Sequence, residues 1–243
     1  EKNASLCDQA IEILDEFSKE KTSMLASLAG KPLIGRTQEE EAIASQEEIL
    51  KTAREILEYR KKLTENSAAV IKIEQQEAAL TPWLALDIPM NFAGTAASAI
   101  LIGSIDGNVT LEQVYSQLAV DAPQLEAFDI QAVSSEAGKL CLAAVCLKEQ
   151  AQELEEALRM QGFARPAQLV SGIPAQELQN LQDQVARIHE ESGETEEKIR
   201  SLHNNKDKLQ LISDYFRIRA QKYEVLGQLR QSASTFFVTG YLP

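Results

Sequence analysis

The sequence predicts an α+β protein in which a long antiparallel helical coiled-coil arm carries a small α/β lobe. Three observations predict it. Two long stretches keep an apolar seam at coiled-coil spacing, one on each side of the chain's middle. The middle, 83–171, reads instead as short apolar runs broken by Gly, Asn and Asp. Ala, Leu, Glu, Gln and Lys dominate both ends, and only 5% of the residues are aromatic, fewer than one compact domain of 243 residues usually holds.

Residues 1–28 form the first expected helix. Leu6, Ala10, Ile13, Leu14 and Phe17 recur at three and four, which gives one apolar stripe. Gly30, Pro32 and Gly35 end it. Thr37 then reads as an N-cap, because Glu39, Glu40 and Glu41 follow and acids suit a helix start. From Thr37 the helical pattern runs to Leu80, before Pro82. Its seam is Ile49, Thr52, Ile56, Tyr59, Leu63, Asn66, Val70, Ile73, Glu77 and Leu80. One register held this long argues for a coiled coil over a surface helix. At full helicity 37–80 spans about 65 Å.

The returning arm starts after Gly172-Ile173-Pro174. Its seam reads Leu178, Leu181, Val185, Ile188, Ser192, Thr195, Ile199, Leu202, Lys206, Leu209. The phase then slips and continues as Ile212, Phe216, Arg219, Tyr223 and Leu226. Such a slip is a stammer, which overwinds a coiled coil locally. Residues 174–233 would span about 90 Å if fully helical. The arms flank the middle segment, so they pair antiparallel, and helix 1–28 is expected to cover the surplus near 217–233. Asn66, Glu77, Ser192, Thr195 and Lys206 are polar seam positions, read as setting register.

In the middle segment, Ala99–Ile105 reads as a strand that ends in the turn Asp106-Gly107-Asn108. Thr110 caps a helix carrying Leu111, Val114, Tyr115 and Leu118. Strands follow at Phe128–Val133 and Leu140–Leu147, the second more buried, with a turn at Ser135-Glu136-Ala137-Gly138 between them. A helix at 148–161 ends at Gly162, and 163–170 is a fourth strand that Pro166 confines to an edge. Strand, helix, strand, strand, helix, strand is the ferredoxin-like split βαβ order.

Charge and motif content exclude several functions. There are 24 basic and 37 acidic side chains, a net charge of −13, which argues against nucleic acid and against an anionic membrane surface. No run approaches a membrane span, and no signal peptide is visible. Cys7, Cys141 and Cys146 are too few and too irregular for a disulfide framework, and a separation of five puts the latter two on opposite strand faces. A soluble cytoplasmic piece is therefore expected, and its abrupt ends suggest an excerpt from a longer protein.

Catalytic constellations are missing from this reading. No phosphate-cradling GxxxxGK[ST] occurs. Gly103-Ser104-Ile105-Asp106-Gly107 follows a strand but reads as a plain turn rather than an anion loop. His189 and His203 lie fourteen residues apart on one helix, about 21 Å, too far to share a metal. The pairs Glu155/Glu156 and Glu196/Glu197 read as solvated helix faces. No catalytic, cofactor-binding or metal residue is assigned, and the chain is not expected to be an enzyme by itself.

Two short motifs carry a resemblance. Leu80-Thr81-Pro82-Trp83-Leu84-Ala85-Leu86-Asp87 resembles the Pro-Trp exit from the first long helix in the cytoplasmic N-terminal region of subunit I of V/A-type ATPases, the counterpart of eukaryotic subunit a. Phe236-Phe237-Val238-Thr239-Gly240-Tyr241-Leu242-Pro243 is similar to that family's ending of the returning arm, with Tyr241 where Trp is common. The resemblance implies a stator. Residues 1–82 would be the N-terminal helices and first arm, 83–171 a distal lobe, 172–234 the returning arm, and 235–243 a strand leading into a missing proximal lobe. It implies two kinds of partner, a two-chain helical peripheral stalk on the 83–171 lobe and other rotary ATPase subunits. It also implies a place at the cytoplasmic face of the cell membrane, without insertion of this piece, in support of ATP-coupled proton or sodium transport. No cofactor is implied. The alternatives are a coiled-coil adaptor, the arm and hinge of a chromosome-organising ATPase, and a ligand-sensing module.

Overall fold

A computed structural model describes residues 1–18, 35–136, 138–167, 169–228, 230–231 and 236–237. The elements run α1 (Lys2–Glu16), α2 (Arg36–Ala44), α3 (Gln46–Leu80), β1 (Ser98–Asp106), α4 (Leu111–Asp121), β2 (Phe128–Glu136), β3 (Lys139–Leu147), α5 (Ala151–Met160), β4 (Phe163–Ala164), α6 (Pro174–Ser201), α7 (Lys206–Gln228), β5 (Arg230–Gln231) and β6 (Phe236–Phe237). The chain divides into two compact units, Glu1–Ser67 with His189–Pro243, and Ala68–Ile188.

The first unit is helical. Its core joins Cys7, Ala10 and Leu14 of α1 to Ile49, Ala53, Ile56 and Leu63 of α3, Ile199 of α6, and Leu209 and Ile212 of α7. Ile49, Ile56, Leu63, Ile199, Leu209 and Ile212 are seam positions that the heptads select, and Ile56, Ile199, Leu209 and Ile212 are fully buried. Asn66 Nδ2 donates to Ser192 Oγ at 3.0 Å, so two polar seam positions satisfy each other. Lys62 pairs with Glu191 at 2.6 Å beside them. Helix α2 lies against α7, while Lys62 and Asn66 of α3 meet Glu191 and Ser192 of α6, so the pairing is antiparallel. Thr195, 2% exposed, turns its hydroxyl back to the Glu191 carbonyl at 2.7 Å.

Helix α1 lies antiparallel on α7. Asp15 pairs with Lys206, and Asp8 with Arg217 at 2.8 Å. The expected cover of 217–233 is thus corrected to 206–217, because the Asp15–Lys206 and Asp8–Arg217 pairs fix the register of α1. Its last turn closes at Phe17, whose N–H bonds the Ile13 carbonyl at 3.2 Å, while the rest of the expected helix lies outside the described residues. Lys206 leaves the seam for Asp15, so it is not an unsatisfied interruption.

Three further expectations change here. Thr37 is not a cap: the Glu39 N–H already bonds the Gly35 carbonyl at 3.2 Å, so the helix has begun before it. The pattern from 37 to 80 is interrupted at Ser45, whose hydroxyl competes for the Glu41 and Ala42 carbonyls at 2.9 and 3.3 Å. The returning arm stops at Gln228 rather than 233, since Arg230–Gln231 pairs antiparallel with Phe236–Phe237. The seam itself ends at Phe216, for Tyr223 and Leu226 are 61% and 43% exposed. The stammer appears as a 3₁₀ segment, Leu202–Asn205, which winds tighter than the α-helix around it. Residues 238–243 of the final expected strand lie outside the described residues.

The second unit holds a four-stranded antiparallel sheet of order β2-β3-β1-β4. That order, with α4 and α5 as crossovers, is the split βαβ topology. The fold class is therefore the expected one. Thr110 caps α4 with a full capping box, its Oγ1 accepting from the Gln113 N–H at 3.3 Å and the Gln113 side chain accepting from the Thr110 N–H at 2.9 Å.

Both faces of the sheet are used. Leu101, Ile105, Leu140, Leu142, Ala144 and Cys146 pack under α4 and α5 with Val114, Leu118, Leu154 and Leu158. Ile102 and Cys141 point the other way, onto Leu80, Trp83, Leu86 and Met90, with Leu181 of α6 against the same cluster. Cys141 and Cys146 do fall on opposite faces, as strand alternation requires. The fourth strand is only Phe163–Ala164, because Pro166 has no N–H to extend the ladder. A Cβ at Gly103 would sit 2.3 Å from the Phe163 ring, so this glycine serves close packing.

Candidate partner interface

The side chains singled out for chemistry occupy structural positions. Glu155 is held by Arg165, through paired contacts of 3.0 and 2.7 Å, and by Arg159 at 2.7 Å. The Arg165 guanidinium, with Arg159 behind it, keeps the Glu155 carboxyl below the usual glutamate range. Glu196 and Glu197 both pair with Arg200, which raises the guanidinium's pKa through Glu197 first. His203 lies in the 3₁₀ segment and His189 in α6. Among the described residues no group of three or more His, Cys, Asp or Glu side chains is placed to hold a metal. The α4 start that followed the glycine-bearing turn is closed by its own capping box, which engages the Thr110 and Gln113 N–H groups.

The three thiols are buried. Burial pushes the Cys7 thiol up to about 11, with the neighbouring Asp8 charge adding to it. Burial also raises Cys146. Thiols whose pKa is raised are poor nucleophiles at neutral pH.

What the second unit offers is surface. Residues 83–171 carry four basic and eleven acidic side chains, a net charge of −7. The sheet face that holds Cys141 and Ile102 is covered at one end only. At the other end Val145 and Leu147, two steps apart on β3 and hence on one face, are 39% and 47% exposed. Val145 sits between Ile100 of β1 and Asp129 of β2. The sequence shows Leu140–Leu147 only as a continuous apolar run, which reads as burial throughout. Period alone does not reveal that the cover ends at Ala143. The largest exposures elsewhere in this unit, Val120 at 73% and Met160 at 69%, are single residues on α4 and α5.

The arrangement is that of an antiparallel helical pair with a split βαβ lobe and an acidic surface carrying a small apolar window. No protein-family model matches the chain, and no curated protein is similar to it in sequence. Its fold is similar to a solved structure, the cytoplasmic N-terminal domain of subunit I, homolog of subunit a, of V-ATPase. That match has a TM-score of 0.52 at 14% identity and covers 93% of this chain and 70% of the other. Among the described residues no helix is long and apolar enough to cross a membrane.

Proposed function

We propose that this chain is a non-catalytic stator part of a rotary V/A-type ATPase, working at the cytoplasmic face of the membrane. The observation that carries the reading is the likeness in fold to the subunit I domain over 93% of the chain. The lobe at 83–171 binds a two-chain helical peripheral stalk, and the helical pair transmits load between that contact and the ion-translocating sector. On this reading 235–243 leads toward a proximal lobe. A stator must resist torque without turning. An antiparallel helix pair suits this, because its seam is locked by buried Ile and Leu and its register by Asn66 and Ser192. The window at Val145 and Leu147 supplies apolar contact on the lobe, and the acidic surroundings favour a basic partner face.

Calorimetry with the purified peripheral-stalk heterodimer tests the proposal. Binding near micromolar, about 8 kcal/mol, is expected. It is lost when 83–171 is replaced by a short turn, and weakened about tenfold or more by Val145→Asp with Leu147→Asp. Absence of heat at ~100 μM protein with the fold intact by circular dichroism would overturn the stator reading.

A further inference from the structure

On the outer edge of β2, one side-chain hydroxyl meets the main-chain groups of Ile130. In an antiparallel ladder the N–H and C=O of one residue point to the same side, and successive residues alternate. Strand β2 is the outermost of the sheet and pairs only with β3. The main-chain groups of Ile130 point away from β3, toward Tyr115 of α4. The Ile130 N–H donates to Tyr115 Oη at 2.7 Å. The Tyr115 hydroxyl in turn reaches Asp129 Oδ1 at 3.0 Å and the Ile130 carbonyl at 3.3 Å. Its ring stacks on Phe128, with centroids 5.8 Å apart, so the hydroxyl is positioned by packing as well as by its partners. Tyr115 thus stands where a neighbouring strand's backbone would stand.

The opposite edge is closed by the chain itself. Phe163–Ala164 covers Ser104 and Ile105, the Ile100 N–H donates to the Ala93 carbonyl at 3.1 Å, and Gly94 bridges Ala99. Among the described residues no strand pairs with β2 on its outer side, and Thr81–Trp83 approaches it only where Trp83 packs with Val133. Exposed edges of this length are templates for pairing with another chain, and natural sheets block them.

We infer that Tyr115 is an edge guard, whose hydroxyl occupies the outward main-chain groups of Ile130 and so prevents β2 from pairing with the β2 of a second copy. A second copy is the occupant that the strand fits. A two-fold antiparallel pairing centred on Ile130 sets Phe128 opposite Ala132 and Asp129 opposite Gln131, so no like charges face each other. At its centre, Ile130 and its symmetry mate would exchange both hydrogen bonds, through the same groups that Tyr115 now holds.

The test is Tyr115→Phe in the full chain, which keeps the ring on Phe128 and removes only the hydroxyl. At low concentration the Ile130 amide is expected to exchange about tenfold faster than in the wild type, the loss of one hydrogen bond. In sedimentation equilibrium between ~10 and ~500 μM, the Y115F mass is expected to rise toward twice that of the wild type at the same concentration. Adding Ala132→Pro, which puts a residue without an N–H on the same edge, should return the mass to the wild-type value. A Y115F mass equal to wild type over the whole range would overturn the inference. So would association that survives the added proline, since it would then run through another surface.

Discussion

The two units hold their residues in place by different means. In the helical unit, interfaces between helices are marked by polar pairs of opposite charge or matched hydrogen bonding. Asp8 with Ser213 and Arg217, Asp15 with Lys206, Glu16 with Arg60, and Asn66 with Ser192 all join different helices. In the lobe the contacts between layers are almost wholly apolar, and Leu142, Ala144, Leu154 and Leu158 are fully buried between sheet and helices. The reason lies in repeat. Helices with similar seams can slide by a turn at small apolar cost, so polar pairs are needed to choose one register. A strand cannot slip by one residue without moving every side chain to the opposite face of the sheet. Register in the lobe therefore needs no polar marker.

The largest test of that contrast removes apolar volume from the lobe. Leu142→Ala should cost about 3 kcal/mol, through lost transfer energy and the cavity left behind. The single Trp, Trp83, is buried in the same unit and reports it. The fluorescence midpoint in urea is expected to fall, while alkylation of Cys7 in the helical unit, resolved by mass spectrometry, stays slow. Accelerated Cys7 labelling would show instead that the two units unfold as one.

A smaller effect is expected from a polar marker. Ser213 is 2% exposed and donates to Asp8 Oδ1 at 2.5 Å, while Arg217 holds the other oxygen at 2.8 Å. Asp8→Ala leaves the Ser213 hydroxyl without its carboxylate acceptor and should cost about 1–2 kcal/mol. Here Cys7 alkylation speeds up and the Trp83 midpoint is unchanged, the reverse of the first case. Equal sensitivity of both probes would erase the distinction between the units.

The smallest effect is electrostatic and falls in the lobe. Glu155 has its folded-state pKa lowered, first by Arg165. Its contribution is therefore fully present above the ordinary glutamate pKa and is lost as pH falls through the lower folded value. Both arginines are more than half exposed, so the contribution is at most about 1 kcal/mol. Glu155→Gln should flatten the acid side of the lobe's stability profile and lower its stability slightly at pH 7. An unchanged slope between pH 5 and pH 3 would assign the acid loss to other carboxylates.

Much of this was legible from residue order. The seam from Ile49 to Leu80 is buried or half-buried at every position named, because heptad spacing reports one helix face wherever the partner is long and continuous. The βαββαβ order, the Thr110 cap and the opposed cysteines follow from local periods and caps, which need no distant information. The misread elements depended on neighbours. Thr37 had the composition of a cap, but the helix had already started before it. Residues 163–170 had the composition of a strand, but among those described only Phe163 and Ala164 pair with β1. Lys206 had a seam position, but Asp15 of a helix far away in sequence drew its ammonium aside.

The candidate site was legible only in outline. The acidic balance of the lobe is a count, and the sequence contains it. Val145 and Leu147 look like core, since an apolar run carries no mark of where its cover ends. Tyr115 looks like one more apolar helix position, since nothing in its spacing shows that its hydroxyl meets the Ile130 backbone. By itself, then, the sequence determined the helix seams, the strand order and the charge, all set by side-chain period and composition within one segment. The tertiary structure decided which seam positions found partners, how far each sheet face and edge was covered, and where apolar surface was left open. Those depend on contacts between residues distant in the chain, and no local pattern encodes them.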